Sequence, residues 1–228
     1  MFAKSDRFSL YTIATIEGDL DERSPKPLMN FPRPPALLPH LEPRSKRFTL
    51  EEYAELTQIG FFKEDDRIEL IRGELIEMAA KGTKHTVCCQ RLLKVLPRLL
   101  DNSLLRCQDP VQLLEGSEPE PDFAIVRDRA DDYLDSHPSS DDILLLIEVA
   151  DSSLEYDRIT KGSLYAEAGI NHYWIFNVLD TQLEVLTQPF QNTNGGFGYR
   201  SQQIYSQNQS IDLPAPLTGA IDLSQILP

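Results

Sequence analysis

The sequence predicts an α/β (α+β) fold, a mixed central β-sheet flanked by helices. Three observations carry that reading. Segments of helical period and short strand-like runs follow one another in the order helix, hairpin, helix, strands, helix, strands. Residues 143–147, ILLLI, are aliphatic on both faces, as in a strand covered on both sides. The 228-residue chain, 41% hydrophobic and 25% charged, can bury one ordinary core.

The elements follow in chain order. Residues 1–46 hold Pro25, Pro27, Pro32, Pro34, Pro35, Pro39 and Pro43, and read as an extended arm ahead of a domain at 47–228. FTLEEYAELTQIG opens a helix, with Thr49 and Glu52 spaced as a capping box. RIELIRGELIEM gives two strands turning at Arg72-Gly73. In KHTVCCQRLLKVLPRLL, residues His85, Cys89, Leu92, Leu96 and Leu99 share a helical stripe, and Pro97 kinks or shortens it. LLRCQDPVQLLEG reads as a strand broken near Pro110, and PDFAIVRD as a strand opened by Pro121. Residues 127–142 are acidic and turn-rich, an exposed connection. After the strand ILLLIEVA comes the helix DSSLEYDRITKGSLYAEAG, with Asp151 or Ser152 as cap and Gly169 as stop. INHYWIFNV and QLEVLTQ are strands, NTNGGFG a turn, and QQIYSQNQSIDL a final strand before a short tail. Tyr173 and Trp174 belong to the core, since their strand is apolar.

A net charge of −14 disfavours nonspecific nucleic-acid binding through a basic surface, and its simplest role is solubility. No apolar run approaches the roughly 18 residues that a membrane helix needs. The N-terminal residues do not resemble a signal peptide, so a cytoplasmic location is expected. Cys88, Cys89 and Cys107 do not make a disulfide framework and read as reduced structural thiols.

The residue that breaks the pattern is Glu148, near the end of the most apolar strand. Strand alternation puts Ile143, Leu145, Ile147 and Val149 on one face, and Leu144, Leu146, Glu148 and Ala150 on the other. An unpaired buried carboxylate would be costly. Asp122 stands at the mouth of the preceding strand. If the two strands are neighbours, two carboxylates converge and call for a proton or a cation between them. A hard divalent ion such as Mg²⁺ suits such a pair. On the following helix Leu154, Lys161, Tyr165 and Ala168 share a stripe bordered by Asp157 and Arg158, which can bring Lys161 to the same place. The plainer alternative is a capping aspartate, an ion-paired glutamate and a snorkelling lysine.

Pro121-Asp122, Glu148 ending an apolar strand and a nearby lysine resemble the PD-(D/E)XK nuclease superfamily. More closely, the chain resembles the bacterial Uma-two family, whose members are mostly labelled restriction endonucleases. The matching stretches are IELIRGELIEM, the helix entered through His85, PDFAIVRD, LLLIEVADSS and DRITKGSLYAEAGINHYWIFNV. The resemblance implies a restriction-endonuclease-like core and Mg²⁺-dependent hydrolysis of DNA phosphodiesters, with Mn²⁺ as a substitute ion. It also implies a homodimer. The superfamily places its lysine two residues after the acid, where this chain has Ala150. The resemblance therefore transfers that part to Lys161.

By the same resemblance Glu69 completes the metal shell with Asp122 and Glu148. His85 contacts phosphate or transfers a proton. Glu74 and Glu77 are lesser candidates from the same hairpin as Glu69. The competing functional class is a catalytically inactive nuclease-fold module that binds nucleic acid or protein. A third reading is a hydrolase of small phosphodiesters.

Overall fold

Each element ends where the local chemistry changes. The computed structural model describes residues 44–63, 66–113 and 116–228. The proline-rich arm therefore lies outside the described residues. Helix α1, Leu50–Gln58, carries the expected capping box: the Glu52 amide donates to Thr49 Oγ1, and the Thr49 amide to the Glu52 carboxylate. Strands β1 (Ile68–Ile71) and β2 (Glu74–Glu77) form a hairpin. Its two-residue turn has positive φ at both Arg72 and Gly73, which matches the twist of the paired strands. A side chain at position 73 would also collide with the Cβ of Arg47. Helix α2, Thr83–Val95, stops where Pro97 imposes a 3₁₀ turn over Leu96–Arg98.

The main sheet has six strands in the order β3-β4-β5-β6-β7-β8. These are Ser103–Cys107, Phe123–Arg127, Ile143–Ala150, His172–Asn177, Gln182–Gln191 and Phe197–Ser206. Only the β5–β6 pair is parallel, as a helical crossover between them requires. That crossover is α3, residues 154–167: α-helical Leu154–Tyr156, a π-helical turn Asp157–Lys161, then α-helical Gly162–Glu167. It ends before Gly169, whose φ of +76° reverses the chain.

Two apolar layers cover the sheet. Leu145, Ile147 and Val149 face one cluster, shared with α2 and the C-terminal Ile221, Leu223, Ile226 and Leu227. Leu146 and Ala150 face the other, shared with Leu164 and Tyr165 of α3 and Ile71 of the hairpin. The alternation expected of this strand is therefore present, and Tyr173 and Trp174 are buried in the core.

Two expectations are corrected. The residue preceding α3 is Ser153, not Asp151 or Ser152. The last predicted strand divides at a turn into β8 and β9 (Ser210–Asp212), because β9 leaves the main sheet to pair with β10, Ala220–Asp222. The tail after it is folded, since its aliphatic residues complete the first core cluster.

Candidate active site

Strand register decides the geometry. Phe123 pairs with Ile147 across β4 and β5, so Asp122 and Glu148 adjoin at the same end of two neighbouring strands. The Asp122 amide donates to Glu148 Oε2 at 3.2 Å, and the Val149 amide donates to Asp122 Oδ2 at 2.9 Å. Glu148 is thus fixed by the backbone of Asp122, and Asp122 by the backbone of Val149.

From α3, Lys161 Nζ donates to Glu148 Oε1 at 2.9 Å and to Glu69 Oε1 at 3.2 Å. Tyr165, one turn further along, donates its hydroxyl to the same Glu148 oxygen at 2.8 Å. Glu69 reaches Lys161 because the β1–β2 hairpin is fastened to α3: Arg72 Nη2 pairs with Glu167 at 2.7 Å. The lysine is 1% exposed, Glu69 2% and Glu148 3%. This burial would be untenable for any of them without the others.

From α2, His85 Nε2 meets Asp122 Oδ2 at 2.9 Å, while its Nδ1 lies 3.6 Å from Cys89 Sγ. Ligand atoms of His85, Cys89 and Asp122 lie within 4.8 Å of one another. His85 already meets both neighbours at hydrogen-bonding distances, so the group reads as a hydrogen-bonded chain. With Asp122 accepting from Nε2–H, Nδ1 is left to accept from the Cys89 thiol. Burial pushes that thiol well up and keeps it protonated.

Glu69, His85, Asp122, Glu148 and Lys161 line one cleft of about 40 Å³, together with Arg67, Lys81, Glu120, Asp151 and Asp157. All five residues predicted for the site, Asp122, Glu148, Lys161, Glu69 and His85, are therefore brought together. Glu74 and Glu77 are exposed on β2 and do not line it.

Glu120 and Asp157 also line the cleft, beyond the five predicted residues. Glu120 could have been found two positions before Asp122, on the same side of an extended segment. Asp157 could have been found four residues before Lys161, where a π turn keeps both buried.

Electrostatics separates the carboxylates. Burial would raise Asp122, but His85, the Val149 amide and Lys81 outweigh it and leave the acid below its ordinary range. Burial raises Glu148, with Asp157, Asp122 and Glu69 adding to the effect against the pull of Lys161. Burial likewise raises Asp157 and Glu120. Lys161 is held charged: burial would lower it, and Glu148, Glu69 and Asp157 more than reverse that. The cleft thus gathers more carboxylates than its cations match.

Oxygen donors of this kind fit a hard divalent cation. Glu148 Oε1 is taken by two donors, while Oε2 keeps one lone pair beyond its bond to the Asp122 amide. Buried Glu69 Oε2 has no hydrogen-bond partner, a vacancy that ordinary protein interiors rarely leave.

A mixed sheet with acids at one end of adjoining strands and a lysine from the crossover helix is an arrangement of the nuclease-fold class. A crystal structure described as a "putative nuclease belonging to DUF820", from Anabaena variabilis ATCC 29413, is similar in fold. It aligns with a TM-score of 0.60 and 12% identity, over 78% of this chain and 97% of that one. The family model Uma2, described as "Putative restriction endonuclease", matches residues 50–225, and this chain belongs to that family. No curated protein matches it.

Proposed function

We propose that the protein is a metal-dependent endonuclease that hydrolyses DNA phosphodiester bonds. The observation that carries this reading is the abutment of Asp122 and Glu148 beside buried Lys161, in a cleft with surplus carboxylates. Asp122 and Glu148 would hold Mg²⁺ or Mn²⁺, with Glu69 contributing its unpartnered oxygen. When bound, such an ion lowers the pKa of water and offsets charge on a phosphoryl oxygen.

The chain's own residues do the rest. Lys161 spends two N–H groups on Glu148 and Glu69 and keeps a third with which to orient the nucleophile. His85 holds Asp122 in place through Nε2 and can take part in proton transfer only if its bond to Asp122 opens. A homodimer would set two such clefts against two strands. A cytoplasmic setting is consistent with three unpaired cysteines. Among the described residues no helix is long and apolar enough to cross a membrane.

The second reading, an inactive module that binds nucleic acid or protein, draws on the near-complete burial of Lys161. One experiment separates the two: supercoiled, linear and single-stranded DNA incubated with Mg²⁺, Mn²⁺ or EDTA. Wild type is compared with Glu148→Gln and Lys161→Ala, after thermal melts establish that each variant is folded. Metal-dependent cutting lost in both variants is expected. No cutting by wild type on any substrate would support the module.

A further inference from the structure

We propose that Lys81 is the residue through which the cleft grips a nucleic-acid phosphate, an inference that rests on the nuclease reading above. The cleft is lined by three cations, Lys161, Lys81 and Arg67, and they are committed to different degrees. Lys161 is enclosed by carboxylates and gives two of its three donors to them. Arg67 donates Nη1 to the Ala79 carbonyl at 2.6 Å, and the Met78 amide donates to the Arg67 carbonyl at 2.8 Å. These two bonds fasten the start of β1 to the segment that leads into Lys81.

Lys81 is the cation left uncommitted. Its Nζ lies 3.7 Å from Asp122 Oδ1, an ion pair too long to be a hydrogen bond, and its side chain is 23% exposed. Among the described residues it makes no hydrogen bond. Three N–H donors therefore stand at the rim, beside the carboxylate assigned to the cation.

The backbone that carries Lys81 is closely seated. A Cβ on the next residue, Gly82, would lie 2.3 Å from Asp151 Oδ2. Glycine thus lets the segment press against the end of β5, and Lys81 is held at a fixed depth. A phosphate approaching this cleft meets Glu120, Asp151 and Asp157 as well as the site acids, on a chain of net charge −14. Beyond the divalent ion itself, attraction calls for a local cation with free donors, and Lys81 meets that requirement. The chain contact is to the phosphodiester backbone, so the recognition is independent of sequence.

The test uses the full chain and a fluorescein-labelled DNA duplex, with anisotropy read in Ca²⁺ across a salt series. Lys81→Ala is compared with Lys81→Arg and with Lys84→Ala, an exposed neighbour that does not line the cleft. The expected result is about a tenfold loss of affinity for Lys81→Ala and a salt slope smaller by about one, with Lys81→Arg restoring both. Lys84→Ala should change far less. Cleavage in Mn²⁺ should show the loss chiefly in KM. If Lys81→Ala binds DNA as wild type does while wild type still cuts, the proposal is overturned and the nuclease reading stands. If only the Mn²⁺ affinity of Lys81→Ala changes, Lys81 is an ion-pair partner of Asp122 and no more, which also overturns it. Wild type that neither binds nor cuts DNA overturns both.

Discussion

Glu148 makes most sense when its two oxygens are considered separately. Oε1 receives Lys161 and Tyr165, whereas Oε2 receives the Asp122 amide and keeps a lone pair for the cleft. Tyr165 therefore sets which oxygen is presented, and acts as a positioning residue. Burial also pushes its hydroxyl well up, so it remains a donor. Replacing it with phenylalanine removes one of three donors to a buried carboxylate, and Glu148 should become harder to ionise. Mn²⁺ affinity of Tyr165→Phe at neutral pH is expected to fall about tenfold in a calorimetric titration, as for other residues that orient metal ligands. An unchanged affinity would show that Lys161 alone is sufficient. Lys161→Met should be more damaging, costing about 3–5 kcal/mol in urea unfolding, because it strips the cation from buried Glu69 and Glu148.

At the scale of elements, α3 is docked by a second buried acid. Glu148 pairs with Ile175, and Ile175 with Glu184 of β7, so both acids stand in one row on one face of the sheet. Lys161 meets the first acid, and Arg158, three residues earlier, meets the second through Nε at 2.8 Å. Asn177 and Gln202 also donate to Glu184, at 3.2 Å and 3.1 Å. The helix is thereby fixed at two points, both within its π turn. Arg158→Ala should destabilise the protein by about 1–3 kcal/mol in urea, the range for removing a charged partner from a buried acceptor. It should also weaken divalent-ion binding, since Lys161 is carried on the same helix. A stability loss with unaltered ion affinity would show that the two anchors act independently.

For the whole molecule, two groups of buried or half-buried acids show opposite pH behaviour. Asp122 and Glu184 are lowered: burial opposes this, but hydrogen bonds from His85 and from Arg158 prevail. Their contribution is present above the unfolded value, near pH 4, and is lost as pH falls through the folded one. Glu148, Glu120 and Asp157 are raised, by burial first. Their contribution is complete below about pH 4 and is lost as pH rises through the raised values. Stability without divalent ions should therefore peak at mildly acidic pH and decline toward about pH 8. Mg²⁺ takes the place of the protons, so its stabilising effect on Tm should grow with pH over that range. Thermal melts across pH, with Mg²⁺ and with EDTA, check both statements; a Tm gain from Mg²⁺ that does not depend on pH would contradict the assignment.

Local sequence pattern was enough for the strand faces, the cap of α1, the helix stops, and the placement of Asp122, Glu148 and Lys161 as candidates. Each of these follows from periodicity or from the chemistry of one or two adjacent residues, such as the Thr49–Glu52 capping box or the Arg72-Gly73 turn. Glu69 and His85 rested on resemblance, because nothing within a few residues of either one indicates a site. Only the tertiary structure decided that the hairpin brings Glu69 to Lys161 from 92 residues away, that Arg158 pairs with Glu184, and that Lys81 keeps its donors free. Those outcomes depend on sheet order, register and the angle at which α3 crosses the sheet. All three are set by packing of the whole core, which no local pattern encodes.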